Sequence, residues 1–277
     1  MVVFYVSMRH GAGMKGVEEF RGLWTRSLIA WPDGRRDVST QVRWLQGAAL
    51  FADLRQPVGL EERISGANCR DALTAEDCLA LSAQQGFCGR FEDRDDAYEW
   101  VRRIDLQPRQ AVRDIGRLFW RDGVLVEEGL ETAYTEHWHR DEVPRKTACA
   151  GLWLRDAGRD VFGCLLLVED RFAYGRGRGA AIAGPSLTHL VAGAASLAEM
   201  QRLVDCEISF GDVPQGWRIG RSSLPYRVGL GLSARLQAGR LVMPDADAAG
   251  RPVERIWEIL EQEGDSSMIL DTIPKNF

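Results

Sequence analysis

The chain lacks any run of 18 consecutive apolar residues, the length a membrane-crossing helix needs. Its first residues also lack the charged start, apolar centre and small-residue cleavage site of a secretory signal, so a soluble cytoplasmic protein is expected. Basic charge is not in excess: 35 Lys and Arg are interspersed with 40 Asp and Glu for a net charge of −5. No basic stripe exists to displace counterions from a phosphate backbone, and nucleic acid is not an expected partner. The six cysteines (69, 78, 88, 149, 164, 206) contain no Cys-x-x-Cys pair. A chain this long needs no disulfide staples, which predicts reduced, mostly buried thiols. There is no Gly-x-Ser-x-Gly elbow and no evident Ser-His-Asp arrangement.

What is present points to β-structure. Twenty-nine glycines and nine tryptophans accompany few long helical patterns, which predicts many short strands joined by tight turns. The composition is 45% hydrophobic over 277 residues, enough for one large or two small domains. Two enzyme signatures near the start fail on inspection. Gly11-Ala12-Gly13-Met14-Lys15-Gly16 fits G-x-G-x-x-G, but Ser7-Met8-Arg9-His10 separates it from the preceding apolar run, and another strand-like segment follows it instead of a long helix. Arg9-His10-Gly11 resembles the motif of histidine phosphatases, yet His137, His139 and His189 precede Trp, Arg and Leu instead of the glycine that family's second histidine requires. Residues 1–19 are therefore expected to be an N-terminal extension.

Self-similarity is the productive signal. Gly22-Leu23-Trp24-Thr25-Arg26 recurs as Gly151-Leu152-Trp153-Leu154-Arg155, and Phe51-Ala52-Asp53-Leu54-Arg55 as Phe172-Ala173-Tyr174-Gly175-Arg176. Thr74-Ala75-Glu76-Asp77 and Ser196-Leu197-Ala198-Glu199 each open a short helix with a capping hydroxyl and an acid three residues on. Trp100 precedes Pro108 as Trp217 precedes Pro225, Asp122-Gly123-Val124-Leu125-Val126 matches Ala238-Gly239-Arg240-Leu241-Val242, and Tyr134–Trp138 matches Val253–Trp257. The offset drifts only between 129 and about 116, as loop insertions in a duplicated unit would produce. The expected fold is all-β with short helices: two tandem antiparallel β-barrels of the lipocalin-like kind, over residues 20–145 and 146–277, since closing each sheet removes exposed edges. A two-sheet sandwich is the alternative.

Several segments resemble the Hri-type proteins of fungi and their bacterial relatives. They are Trp44-Leu45-Gln46 leading to Ala52-Asp53-Leu54-Arg55, Gly86-Phe87-Cys88-Gly89-Arg90-Phe91-Glu92, Trp100-x-Arg102-x-Ile104-Asp105-x-Gln107-Pro108, and Tyr134-x-Glu136-x-Trp138. The resemblance spans residues 20 to about 270 and implies two lipocalin-like (calycin) barrels. It implies no settled activity and transfers no catalytic residue.

If the two units share a fold, positions polar in one copy and apolar in the other are those where folding demands least. Asp105 and Gln107 stand opposite Ser222 and Leu224, His137 opposite Ile256 and Asp53 opposite Tyr174, while Arg55 is matched by Arg176. The first barrel is thus expected to hold a ligand cavity lined by Trp44, Trp100 and Trp138, with Asp53, Arg55 and Gln107 as binding groups. Glu136, Asp105 and Tyr134 are the acid–base candidates, because a carboxyl enclosed by tryptophans has its pKa raised toward neutrality. The plainer alternative is ordinary strand residues making rim salt bridges. Glu136-His137-Trp138-His139 places two histidines on one strand face, a partial metal motif that needs a third ligand from His10, His189 or a distant carboxylate; solvent-facing histidines are expected, with no metal and no cofactor. Tyr174-Gly175-Arg176-Gly177-Arg178-Gly179 is expected to be a hairpin turn, with an anion cradle as the alternative. The leading expectation is a module that binds a small apolar molecule in the first barrel. The alternatives are a cofactor-independent lyase, isomerase or hydratase, and a structural or partner-binding protein with filled barrels. Beyond the small molecule, the expected partner is at most a second copy of the chain in a homodimer.

Overall fold

Apolar and polar residues alternate along the strand segments, so each strand has one face that must be covered, and short turns leave antiparallel pairing as the local solution. The computed structural model describes residues 16–64, 66–141, 148–214 and 216–270. Arg9-His10-Gly11 and all of the Gly11–Gly16 motif but its last glycine lie outside that range. The first unit contains β1 (Gly22–Ala30), β2 (Arg36–Asp37), β3 (Gln41–Gln46), β4 (Leu50–Gln56), α1 (Leu60–Arg63), α2 (Ala75–Ser82), β5 (Gln85–Arg94), β6 (Ala97–Asp105), β7 (Ile115–Arg121), β8 (Val124–Gly129) and β9 (Thr135–Arg140). The second contains β10 (Cys149–Asp156), β11 (Phe162–Val168), β12 (Arg171–Arg176), α3 (Leu187–Ala192), α4 (Leu197–Leu203), β13 (Glu207–Asp212), β14 (Arg218–Ser222), β15 (Arg235–Gln237), β16 (Arg240–Ala246), β17 (Pro252–Gly264) and α5 (Ser267–Leu270).

In the first sheet β1 pairs with both β3 and β9, which closes an eight-stranded antiparallel barrel with β2 as a side hairpin. The second runs β14-β13-β12-β11-β10-β17-β16-β15. It follows the same path, helices falling between the third and fourth strands of the repeat, so the protein is two tandem barrel units. Among the described residues no ladder joins β14 to β15, which leaves the second a half-barrel. Its equivalent seam in the first unit, between β6 and β7, is held by only two ladder pairs, Tyr98 with Gly116 and Glu99 with Ile115.

The duplicated sequence pairs fall on matching elements. The β7–β8 and β15–β16 hairpins turn on Asp122-Gly123 and Ala238-Gly239, each with two successive positive φ values (51° and 80°; 49° and 73°), the pattern of a two-residue type I′ turn. Thr74 caps α2 in a reciprocal box with Asp77, and the Ser196 hydroxyl accepts from the Glu199 N–H at the start of α4. Two details differ from the sequence reading. In the first unit Asp53 faces Trp44 and Trp44 faces Trp24; the corresponding chain in the second is Tyr174, Leu165, Leu152. Trp24 therefore corresponds to Leu152, not Trp153, and a one-residue slip reverses the face of a strand. Tyr174-Gly175-Arg176 belongs to β12 and not to a turn.

Four apolar clusters hold the molecule. The first barrel is filled by aromatic side chains including Phe20, Trp24, Trp44, Phe91, Trp100 and Trp138, and the second is lined by Leu152, Leu165, Phe172, Leu241, Met243 and Trp257. A third layer lies between the sheets, where Leu45, Leu50, Leu54 and Ile104 meet Leu166, Ile208 and Phe210. A fourth joins α2 to α3 and α4 through Leu73, Leu81, Leu187 and Val191. All six cysteines are free thiols, five of them buried.

Candidate functional site

The inward faces of the first barrel divide it into an aromatic floor and a charged end. On β4 the inward residues are Phe51, Asp53 and Arg55, on β8 Leu125 and Glu127, and on β9 Glu136 and Trp138, so acids appear one step along each strand from floor residues. The Trp44 ring lies 5.5 to 5.7 Å from those of Trp24, Trp100 and Trp138, so Trp100 and Trp138 both pack on Trp44 to form a floor. Glu127 and Glu136 are direct ladder partners, which brings two carboxyl groups together inside the barrel.

Above the floor two neighbouring hydrogen-bonded networks gather the acids, one around Arg55 and one around Tyr134 and Arg102. Arg55 reaches Asp53 at 2.9 Å and Glu136 Oε1 at 3.2 Å, and Arg26 donates to the same Glu136 oxygen. Glu127 accepts from the Tyr134 hydroxyl at 2.6 Å and from the Trp138 indole N–H at 3.0 Å. Tyr134 also touches Asp114 at 3.4 Å, Asp114 accepts from Arg102 at 2.7 Å, and Arg102 donates to Asp105 at 3.1 Å. Burial shapes the protonation. It raises Asp53 and Asp105 above the ordinary carboxylate range even though Arg55 and Arg102 pull the other way. Glu127 is pushed well above its ordinary value by burial and then by the facing charge of Glu136, and Tyr134 is raised by burial and by Glu127. Burial opposes the charge of Arg55, but Asp53 and Glu136 more than offset it and hold its pKa high. The second oxygen of Glu136, Oε2, is buried with no hydrogen-bond partner among the described residues.

This end of the barrel opens at its weak seam. Past the backbone bond from Trp100 N–H to Asp114 O, β6 and β7 part, and the Arg102–Asp114 pair spans the space. The side chains of Arg102, Asp105, Asp114 and Arg55 are 17–29% exposed, whereas those of Asp53 and Glu136 beneath them are 3% or less.

Of the residues singled out from sequence, Asp53, Arg55 and Glu136 belong to the first of these networks and Asp105, Tyr134 and Trp138 to the second, with Trp44 and Trp100 in the floor below. Asp105 sits at the rim with both oxygens engaged, by Arg102 and by the Gln107 N–H. The Gln107 side chain lies elsewhere: it donates to the Ser82 and Gln84 carbonyls and accepts from the Leu187 N–H, tying the first sheet to the helical layer. His137 and His139 alternate with Glu136 and Trp138 and so face outward, and among the described residues no cluster of three or more His, Cys, Asp or Glu is placed to hold a metal. Sequence reasoning missed Glu127, Asp114, Arg102 and Arg26. Glu127 carried a signal, standing two residues after inward Leu125 on the strand beside Glu136-x-Trp138.

The second unit also buries an ion pair between its first and last strands, with the opposite sense. Arg26 and Asp156 are the ladder partners of Trp138 and Trp257 respectively, and Glu136 and Arg255 each stand two residues before those tryptophans. The pair is Arg26–Glu136 in one barrel and Asp156–Arg255 in the other. Arg176, the counterpart of Arg55, reaches Asp205 at 2.7 Å, while Glu207 and Asp245 take Arg227.

No described helix is long and apolar enough to cross a membrane. Neither a protein-family model nor a curated protein matches the chain. Among solved structures, an uncharacterized protein from Saccharomyces cerevisiae aligns over 87% of this chain and 98% of its own, at 11% identity and a TM-score of 0.44.

Proposed function

We propose that the first barrel binds a small, largely apolar molecule that carries one hydrogen-bond donor or positive charge. The chain in this proposal is organised as two lipocalin-like units, residues 20–145 and 146–277, of the kind the Hri-type resemblance implies, and acts in the cytoplasm. One observation carries the reading: Glu136 Oε2 is a buried carboxylate oxygen without a donor, beneath a parted seam. Leaving such an oxygen unpaired costs about 1–3 kcal/mol or more, and a ligand donor removes that cost. Three guanidinium groups (Arg26, Arg55, Arg102) serve five carboxyls (Asp53, Asp105, Asp114, Glu127, Glu136) at this end, which favours a donor or a cation over an anion. The aromatic floor keeps the occupant small and gives its apolar part a surface.

The test follows the Trp138 indole N–H resonance in nitrogen-15 proton spectra during titration with 2-phenylethylamine, 2-phenylethanol and 3-phenylpropionate. The amine and alcohol should give a saturable change, the carboxylate the weakest, and Glu136→Gln should weaken the amine roughly 10- to 100-fold, the size of one charge-assisted hydrogen bond. Silence from all three compounds, or affinity indifferent to Glu136→Gln, overturns the proposal. A second reading, a cofactor-free lyase, isomerase or hydratase, rests on Glu127 and Glu136 facing each other with the Tyr134 hydroxyl 2.6 Å from Glu127. It makes Glu136 the base, Tyr134 a donor and Asp105 a residue that positions Arg102. Solvent deuterium entering a bound compound, and ceasing to enter in Glu136→Gln, distinguishes it; binding without exchange leaves the binding module.

A further inference from the structure

The duplicated interior allows each polar group of one barrel to be compared with its counterpart in the other. In the first barrel two buried N–H donors are served by carboxylates: Arg55 Nε by Asp53 and Trp138 Nε1 by Glu127. Both donors recur in the second barrel as Arg176 Nε and Trp257 Nε1, but both acceptors are gone. Asp53 is replaced by Tyr174, and Glu127 by Met243, the ladder partner of Arg255 as Glu127 is of Glu136. The result is visible in the hydrogen bonding, where Arg176 Nε and Trp257 Nε1 are both buried without a partner among the described residues and Trp257 is wholly inaccessible. Glu207 Oε2 approaches Arg176 Nε only to 3.7 Å. A thioether is a poor acceptor, so Met243 does not replace a carboxylate.

We propose that the second barrel is a binding site for a small molecule bearing a carboxylate, which accepts from Arg176 Nε in the place that Asp53 fills in the first, inside the barrel that also holds the unserved Trp257 indole N–H. The charge count agrees: Arg70, Arg176, Arg227 and Arg255 are balanced by Asp156, Asp205, Glu207 and Asp245, without the acidic excess of the first barrel. The walls agree as well. Leu152, Leu154, Leu165, Leu167 and Leu241 give this barrel an aliphatic lining in place of stacked aromatic rings, which suits a short alkyl chain. No ladder joins β14 to β15 among the described residues; residues 229–232 bond to the β14 edge there instead, and access lies between that segment and β15. The proposal is independent of the site in the first barrel, whose tryptophan reporter is Trp138.

The indole N–H of Trp257 supplies the readout. In nitrogen-15 proton spectra of the full chain, its resonance is identified by loss in Trp257→Phe and followed during titration with sodium hexanoate, hexylamine or sodium chloride at matched ionic strength. Hexanoate should move it saturably while the amine and chloride do not, and Arg176→Gln should weaken hexanoate at least ten-fold. In Met243→Glu, which restores the first barrel's acceptor, the resonance should already be displaced without ligand and hexanoate should no longer bind. A Trp257 resonance indifferent to hexanoate, or equally moved by chloride, overturns the proposal, as does hexanoate affinity unchanged in a folded Arg176→Gln. If only Trp138 responds, and to the amine, the first-barrel reading stands while this one fails.

Discussion

Burial, with the charge of Glu136 facing it across the ladder, keeps a proton on Glu127 well above the 4.5 at which a free glutamate loses it. From about that pH upward the folded chain holds a proton that the unfolded chain has released, so this residue makes stability fall as pH rises, at about 1.4 kcal/mol per unit until Glu127 itself ionises. Asp53, Asp105 and Glu263 are raised by burial too and act with the same sign, so the wild-type slope is not diagnostic alone. The difference from Glu127→Gln is, because glutamine imitates the neutral carboxyl. In urea unfolding at pH 5, 6 and 7 the variant should lose stability more slowly with pH and gain on the wild type at each step. Parallel curves would mean that Glu127 carries no excess proton. Little of this residue's role was legible in sequence. Alternation from Leu125 points Glu127 inward, but only the ladder register sets it opposite Glu136, and register depends on turns and bulges that composition does not display. Arg26, Arg102 and Asp114 were hidden for the same reason, each meeting its partner across strands.

Among the elements, β17 has the most to hold together. At 13 residues it outruns its partner β16, and its far end carries Glu263 to the β3–β4 hairpin of the other unit. There the carboxylate accepts the backbone N–H groups of Ala48, Ala49 and Leu50 at 2.8–3.0 Å. Gly151 makes the approach possible, since a Cβ there would stand 2.8 Å from Glu263 Cγ. Charge-assisted bonds to otherwise unpaired amides are worth more than neutral ones, so Glu263→Ala should cost about 2–3 kcal/mol. In a chain of this size that lowers Tm by roughly 5–10 °C, and Gly151→Ala should move it in the same direction. A melting temperature unchanged in Glu263→Ala would show that water serves the hairpin equally well. At this scale the sequence was most informative: tight turns, capped helices and repeated strand motifs are local chemistry. The exception is also local. The shared Gly-Leu-Trp string suggested that Trp24 matches Trp153, but bulges in the β1–β9 and β10–β17 ladders shift the register, and Trp153 packs between the sheets.

For the whole molecule the duplication explains how the two barrels came to differ. Each barrel buries an ion pair between its first and last strands, Arg26–Glu136 in one and Asp156–Arg255 with the opposite sense in the other, although Asp156 lies four residues beyond Leu152 where Arg26 lies two beyond Trp24. The sequence alignment pairs Arg26 instead with Arg155, an exposed residue that bonds Glu258. The repeat is also not a pair of independent beads. The outer face of the first sheet presents Leu45, Leu50, Leu54, Ile104 and Leu106, all 4% exposed or less because the second sheet covers them. Exposing a buried leucine or isoleucine costs about 1.5–3 kcal/mol, so five such side chains are comparable to the roughly 5–15 kcal/mol that stabilises an ordinary domain. Residues 1–145 and 146–277, made separately, should therefore each bind a hydrophobic dye and melt without a cooperative transition, although each contains a complete repeat. Mixed together, they should recover the near-ultraviolet dichroism of the intact chain, because the covering faces, the Glu263 contact and the helical layer all form between fragments. A cooperative, dye-free melt from residues 1–145 alone would show that closure of the first barrel suffices, and that the layer between the sheets contributes far less than its burial implies.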